Sequence, residues 1–278
     1  MRLKSFNADV IISCLWYSLF FCQGFERTTK IHTLHAFPDF VSYKIWKFNV
    51  MHLIDRILRR KFDYIVANSK FTKYLCESFF NIDIDGLYTI GLDANVISFL
   101  KVMNDKPNKR KQEILYVGRL VKAKHVDKAL EAATLLPLNE YTHFNVWGYG
   151  NEETTLRKKY SDNQKFIFHG AINHADVYKE YQKNKVFISL NPAEPFGITY
   201  EEAIANGLHV VAPDTGGGVD FLKHYPDRCS LVDVNDVDSI TKGLKLGLES
   251  NLRPLTDQEL DELSYSNTAD QIFRVTKK

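Results

Sequence analysis

The sequence predicts an α/β protein of doubly wound parallel sheets, arranged as two Rossmann-like domains of which the N-terminal one is incomplete. Three observations carry that expectation. From Ile114 onward, short runs rich in β-branched and aromatic residues alternate with stretches of helical periodicity. The runs are continuously apolar, as strands covered by helices on both faces must be. Finally, Gly118, Gly148, Glu194 and Gly216 fall just beyond strands, where open α/β sheets hold their ligands.

In chain order, ADVIIS, KIHTLHA, FDYIVANS and LYTIG read as about four strands of a partial front sheet, with helices expected over 43–60 and 71–80. The segment KVMNDKPNKRKQ, 101–112, is polar, carries Pro107 and lacks periodicity, which marks it as the linker. Beyond it, ILYVG, FNVWG, KFIFHG, VFISL, LHVVA and SLVD alternate with helices expected over 125–136, 152–160, 175–183, 198–207 and 237–248. The tail TDQELDELSYSNTADQIFRVTKK reads as one or two helices opened by a Thr cap and an acidic first turn. The expected domains are 1–112, a partial front domain with its linker; 113–252, a ligand-binding Rossmann-like domain; and 253–278, a helical tail that packs back on the first.

Charge is uneven along the 278 residues: 1–112 hold 17 Lys or Arg against 10 Asp or Glu, and 113–278 hold 19 against 24. A basic front suits an anionic membrane surface, and two unlike domains produce the same asymmetry without any partner. No nucleic-acid motif accompanies the charge, so nucleic acid is not expected. In YKIWKFNVMHLIDRILRRKF, Trp46, Met51, Ile54, Ile57 and Leu58 share a helical stripe with basic side chains elsewhere. That is a helix lying on an anionic membrane, or one covering a sheet with its basic face in water. Cys14, Cys22, Cys76 and Cys229 lack C-x2-C spacing and clustered His, which argues against a zinc site or disulfides and for a cytoplasmic setting, with the membrane periphery as the alternative. The opening apolar run VIISCLWYSLFFC falls short of the ~20 residues that span a bilayer, and no small-residue cleavage site follows. It is expected to be a buried strand running on into its neighbouring loop or helix, a short membrane-embedded segment being the alternative.

The densest chemistry lies in VFISLNPAEPFGITYEE, 186–202, where Glu194 and Glu202 are separated by seven residues. Glu194 leaves a strand, and Glu202 lies about one turn into a helix whose first N–H groups, near Phe196, Gly197, Ile198 and Thr199, have no carbonyl to bond. Such a start attracts a diphosphate, and flanking carboxylates accept hydrogen bonds from sugar hydroxyls. Two glutamates at a helix start are equally what a favourable surface dipole contact produces. Glu201 is rotated about 100° from Glu202 and is expected to face elsewhere. In GRLVKAK, Arg119 and Lys124 follow a strand, and two fixed cations suit a leaving diphosphate, although a basic loop is often only a solvated surface.

The segment Glu-Pro-Phe-Gly through Glu-Ala-x-Ala-x-Gly, with LHVVAPDTGGGVD after it, resembles the E-x7-E signature of the retaining glycosyltransferases of family 4. GRLVKAK resembles that family's Gly-Arg-Leu-x-x-x-Lys-Gly loop, with His125 in place of the last Gly. The resemblance implies that Arg119 and Lys124 bind the donor diphosphate together with Gly197, Ile198 and Thr199, that Glu194 contacts the donor sugar, and that Glu202 grips the ribose. It implies donor-proximal loops at Gly118, Gly148 (with Gly150), Ala171, Ile172, Gly216 and Gly217. The last two also read as an anion-binding nest or a plain turn. Asp220 stands where the family usually has Glu. In HTLHAFPD, a His at a strand end is usually structural, but His35 matches a family His that faces the reacting sugar, better than His32 does. VANSKF at Asn68 and Ser69 and GLDANV at 91–96 resemble further family segments.

The family's fold is the GT-B type, with the donor in the C-terminal domain and the acceptor in the N-terminal one. The implied activity moves a hexose from a nucleotide-diphosphate sugar to a glycan, lipid-linked or other hydroxyl acceptor, with no metal or other cofactor. About 100 front residues stand where closer to 170 are usual for the family, and no Gly-rich loop precedes Ala8. A minimal enzyme, a chain completed by a second subunit, and a nucleotide-sugar-binding remnant without catalysis all fit that shortfall; a nucleotide-sugar epimerase is a further alternative.

Overall fold

The computed structural model describes residues 8–14, 28–35, 53, 60, 62–80, 82–104 and 110–277, and it divides into two compact units. Met1–Ile90 with Ser266–Lys278 form the first unit, and Gly91–Tyr265 form the second. The helix expected over 43–60, most of the opening apolar run and Cys22 lie outside the described residues.

In the first unit, β1 (Val10–Ser13), β2 (Thr29–Leu34), β3 (Tyr64–Ala67) and β4 (Gly86–Leu87) form a parallel sheet in that order. Alternation along the strands sends Ile31 and Val66 to one face, against Tyr88, Ile272 and Val275, and Leu34 and Ala67 to the other, against Cys76, Ile82 and Ile84. Helix α1 (Lys70–Phe80) starts where the Ser69 hydroxyl accepts from the Thr72 N–H at 3.0 Å, an N-cap that satisfies one of the orphan donors of the first turn.

The second unit holds a six-stranded parallel sheet in the order β10-β9-β8-β5-β6-β7. Its strands are β5 (Ile114–Val117), β6 (Phe144–Trp147), β7 (Phe166–Gly170), β8 (Val186–Ile188), β9 (His209–Pro213) and β10 (Cys229–Val232). Counted from β5 this is the doubly wound order 3-2-1-4-5-6, which reverses direction between β5 and β8. The connecting helices are α3 (Val126–Thr134), α4 (Glu153–Lys159), α5 (His174–Lys183), α6 (Ile198–Ala205), α7 (Gly218–Leu222) and α8 (Val237–Glu249). Leu130, Ala133, Ile240 and Leu244 cover the face that carries Ile114, Val146 and Ile188. Tyr181, Tyr200, Ile204 and Leu260 cover the face that carries Leu115, Phe187 and Val210. Each fully buried Leu or Ile among them contributes about 1.5–3 kcal/mol.

The linker expected at 101–112 takes another form. Residues 101–104 are the end of α2 (Ala94–Asn104), whose Ile97 and Leu100 pack with Leu260 and Leu263, so the units divide at Ile90 and not at 112. Arg110 is tied down as well, with Nη1 donating to the carbonyls of Tyr181 and Asn184 at 2.8 and 2.9 Å and Nη2 to that of Asn206. At the C-terminus, α9 (Asp257–Glu262) opens with a full capping box between Thr256 and Glu259, and α10 (Tyr265–Arg274) follows. Among the described residues, no helix is long and apolar enough to cross a membrane.

Candidate functional site

The reversal between β5 and β8 leaves a gap between the loops that follow these two strands, and the charged side chains gather there. After β5 the chain passes through Gly118 and the exposed Arg119 into a short 3-10 turn, Lys122–Lys124. After β8 it runs through Asn191 to Glu194. The two loops meet where Lys124 Nζ donates to Glu194 Oε2 at 2.5 Å. Asn191 Nδ2 donates to the same oxygen at 3.0 Å, while Asn191 Oδ1 accepts from the Ala193 N–H at 3.2 Å. One side chain thus folds the turn and aims the carboxylate. The Arg119 side chain makes no hydrogen bond or ion pair with the described residues.

Tyr116 supports this cluster from below. Burial, and after it the Glu194 charge, push its phenol up, so the hydroxyl stays protonated and donates to the Arg119 carbonyl at 2.8 Å. Tyr200 is raised by the same two causes and donates to the Ser189 carbonyl at 3.0 Å. Its ring lies where a Cβ on Gly197 would be, and Gly197 itself has φ 87, so α6 begins on a residue that only glycine fits without strain. Ile198 and Thr199 occupy the first turn of α6, where a helix has no carbonyl of its own to offer their N–H groups.

The loops after β5, β6 and β7 are laced by backbone. Gly118 N–H donates to the Trp147 carbonyl at 3.0 Å, Gly148 N–H to Gly170 at 2.7 Å, and Leu120 N–H to Tyr149 at 2.9 Å. On the β8 side of the gap, the Gly217 N–H on the loop after β9 donates to the Glu194 carbonyl at 2.6 Å. That amide joins the loops after β8 and β9, so the Gly217 N–H is already engaged within the protein.

Both adjacent glutamates of α6 are buried, Glu201 to 2% exposure and Glu202 to 4%. Glu202 accepts from His174 Nε2–H and Tyr178 O–H on Oε1 and from Tyr181 O–H on Oε2. Glu201 Oε2 has no partner, and burial first, then the Glu202 charge, raise its pKa well above the usual glutamate value. The expectation that Glu201 turns away from Glu202 holds, but it turns into protein and not into solvent.

His35 belongs to the first unit, at the end of β2. Its Nε2 lies 3.0 Å from Thr33 Oγ1 and its Nδ1 3.1 Å from the Tyr88 hydroxyl, while Asn68 Nδ2 donates to its carbonyl at 2.9 Å. Burial lowers its pKa, so the imidazole is neutral near pH 7. Asn68 and Ser69 therefore have structural partners, the one on His35 and the other at the α1 cap. Within the second unit the structure gathers Gly118, Lys124, Gly148, Glu194, Gly197 and Gly217 around the gap, with Ala171 and Ile172 on the loop after β7. Sequence reasoning misses Asn191, Tyr116 and the α5 trio His174, Tyr178 and Tyr181. An Asn-Pro turn signal marks the first, and an i, i+4, i+7 spacing marks the trio. No group of three or more His, Cys, Asp or Glu suited to a metal occurs among the described residues.

Residues 101–264 match the profile of the family described as glycosyl transferases group 1. The chain is similar to an uncharacterized 41.2 kDa protein in the cps region of Klebsiella pneumoniae, 26% identical over 229 residues that cover 77% of this chain and 63% of that protein. It is also similar to the UDP-N-acetylglucosamine–peptide N-acetylglucosaminyltransferase GtfA subunit of Streptococcus pneumoniae serotype 4, 31% identical over 109 residues, 38% of this chain and 21% of that one. The chain thus spans less than two thirds of the length of either relative. Among solved structures, Anabaena HepE in complex with UDP and glucose aligns with a TM-score of 0.70 at 14% identity, covering 97% of this chain and 78% of that chain. At that identity the likeness is one of fold, the GT-B type with two Rossmann-like units.

Proposed function

The chain belongs to the glycosyl transferases group 1 family, and we propose that it moves a hexose from a nucleotide-diphosphate sugar to a hydroxyl acceptor with retention of anomeric configuration, as a family 4 enzyme. The observation that carries this reading is the Lys124–Glu194 pair at the strand-order reversal, beside the open first turn of α6.

In this reading the donor diphosphate lies against the N–H groups of Ile198 and Thr199 and between Arg119 and Lys124. As the sugar–phosphate bond breaks, negative charge grows on the departing oxygen, and the guanidinium and ammonium stabilise it more than they stabilise the ground state. Lys124 turns from Glu194 to the phosphate, and the released carboxylate faces the sugar, where it offsets developing oxocarbenium charge. Glu202 accepts from the ribose hydroxyls, and the loop at Ala171 and Ile172 lies along the base. The reading assigns no metal to the step. His35, neutral and held by its neighbours, is the first unit's candidate for a hydrogen bond to substrate. The acceptor is a glycan or lipid-linked hydroxyl, met in the cytoplasm or at an anionic membrane surface.

HepE, with UDP and glucose bound, supports a nucleotide sugar as the ligand class. Calorimetric titration with UDP-, GDP- and ADP-sugars, followed by product analysis in a membrane extract and NMR of the new anomeric centre, tests the reading. Indifference to every donor at millimolar concentration sinks it.

A further inference from the structure

Glu202 is enclosed by one face of α5. His174, Tyr178 and Tyr181 stand at i, i+4 and i+7, so they point the same way, and all three donate to this carboxylate. Tyr181 reaches Oε2 at 3.0 Å, while Tyr178 and His174 reach Oε1 at 3.3 and 3.1 Å. The donors differ in how firmly they are held. Tyr181 and Tyr178 are 0% and 7% exposed, and Tyr181 packs edge-on against Phe187 at 5.6 Å. The His174 side chain is 74% exposed and touches Tyr178 only by its ring edge, at 5.5 Å.

A carboxylate offers about four lone-pair positions, so three are taken and the last is on Oε2. A ribose presents two neighbouring hydroxyls, and gripping both takes two positions. One present donor has to leave. The tyrosines are fixed by the core around them, whereas the imidazole stands at the surface, on the first residue of α5, two residues beyond Ile172.

We propose that His174 is a specificity-determining residue of the nucleotide subsite: it holds on Glu202 Oε1 the position that a ribose hydroxyl takes, and a 2′,3′-diol displaces it on binding. This rests on the nucleotide-sugar reading of Glu202 given above. It follows that the imidazole opposes binding of a ribonucleotide and is indifferent to one without the diol, which leaves it in place.

The test is calorimetric titration of UDP and 2′,3′-dideoxy-UDP into the full chain and its His174→Ala variant. Because His174 is exposed, the variant keeps the fold, which far-UV circular dichroism checks. Its UDP affinity is expected to rise about three- to tenfold, the range for loss of one competing exposed hydrogen bond, with dideoxy-UDP unchanged within about twofold. Weaker or unaltered UDP binding, or an equal gain for both nucleotides, overturns the proposal and leaves the nucleotide reading standing. If neither protein binds UDP, GDP or ADP, the proposal and the nucleotide reading fall together.

Discussion

Lys124 and Glu194 stand 70 residues apart in the chain and meet with 2.5 Å between Nζ and Oε2. The pair spans the point where strand order reverses, so it fastens the loop after β5 to the loop after β8. Each side chain keeps about a fifth of its surface in water, 19% and 23%, which makes the pair accessible to a ligand and limits its contribution to the fold. Lys124→Met is therefore expected to cost about 1 kcal/mol of stability or less, because Glu194 can rehydrate. In the proposed function the same change also removes a charged donor to the diphosphate, worth about 1.5–3 kcal/mol, so UDP affinity is expected to fall tenfold or more. Urea denaturation and calorimetry read the two quantities separately, and a variant that binds UDP like the wild type excludes the assigned phosphate contact.

The two neighbouring glutamates of α6 are expected to diverge under mutation. In the proposed function Glu202→Ala loses charged hydrogen bonds to the ribose and is expected to weaken UDP binding by about 1.5–3 kcal/mol each, while Glu201→Met is expected to leave it unchanged. Stability responds the other way for Glu201. Its carboxyl stays protonated in the fold well above the ordinary glutamate pKa, chiefly through burial, whereas the unfolded chain releases the proton near pH ~4.3. Above that pH the native state binds more protons than the unfolded state, so this group's effect on stability worsens as pH rises toward the folded pKa, by up to about 1.4 kcal/mol per pH unit. Glu201→Met has no proton to hold and no polar atom to strand. Urea melts near pH ~5 and ~8 are expected to show a smaller loss for the variant; identical losses contradict a neutral buried carboxyl.

That contrast also shows where the sequence was legible. The strands of the second unit, the glycine-laden loops and the helix start at Gly197 are local patterns and appear where the sequence places them, whereas LYTIG, expected as a strand, contributes only Leu87 to β4. Glu201 defeats the same logic, because a helical period separates faces only when one of them meets water. Tyr200 through Ala205 are all buried, so α6 has no polar face for Glu201 to occupy. The polar stretch before Glu113 reads as a linker because Arg110 and its neighbours are charged. The partners that hold Arg110 are carbonyls at the ends of α5 and α6, more than 70 residues away, which no local pattern records. For the same reason the Lys124–Glu194 pair is invisible in sequence, although both residues stand out singly.

His125 sits in the left-handed region, φ 47 and ψ 40, between the 3-10 turn and α3, and it is the non-glycine residue with positive φ among the described residues. Histidine is among the side chains that tolerate this region, and a β-branched residue is not. His125→Val is expected to cost about 1–3 kcal/mol, whereas His125→Gly, which trades strain for chain entropy, stays near the wild type. Thermal melts of the pair decide it. Equal melting temperatures for Val and Gly argue that the turn adopts another conformation in solution.

At Gly148 the loops after β5 and β6 approach closely. A Cβ there would stand 1.8 Å from the Gly118 carbonyl oxygen, which is backbone and cannot rotate aside, and its φ of 142 suits few other residues. Gly148→Ala must therefore push apart loops that are bonded by the Gly118 N–H to the Trp147 carbonyl and by the Gly148 N–H to the Gly170 carbonyl. Strain and overlap together are expected to cost about 2–5 kcal/mol of stability. The displacement also carries Arg119 away from Lys124, so nucleotide affinity is expected to fall even at a temperature where the variant is folded. Urea denaturation gives the first quantity and calorimetry with UDP below the melting transition gives the second. A folded variant with unaltered affinity shows that this contact supports the fold alone.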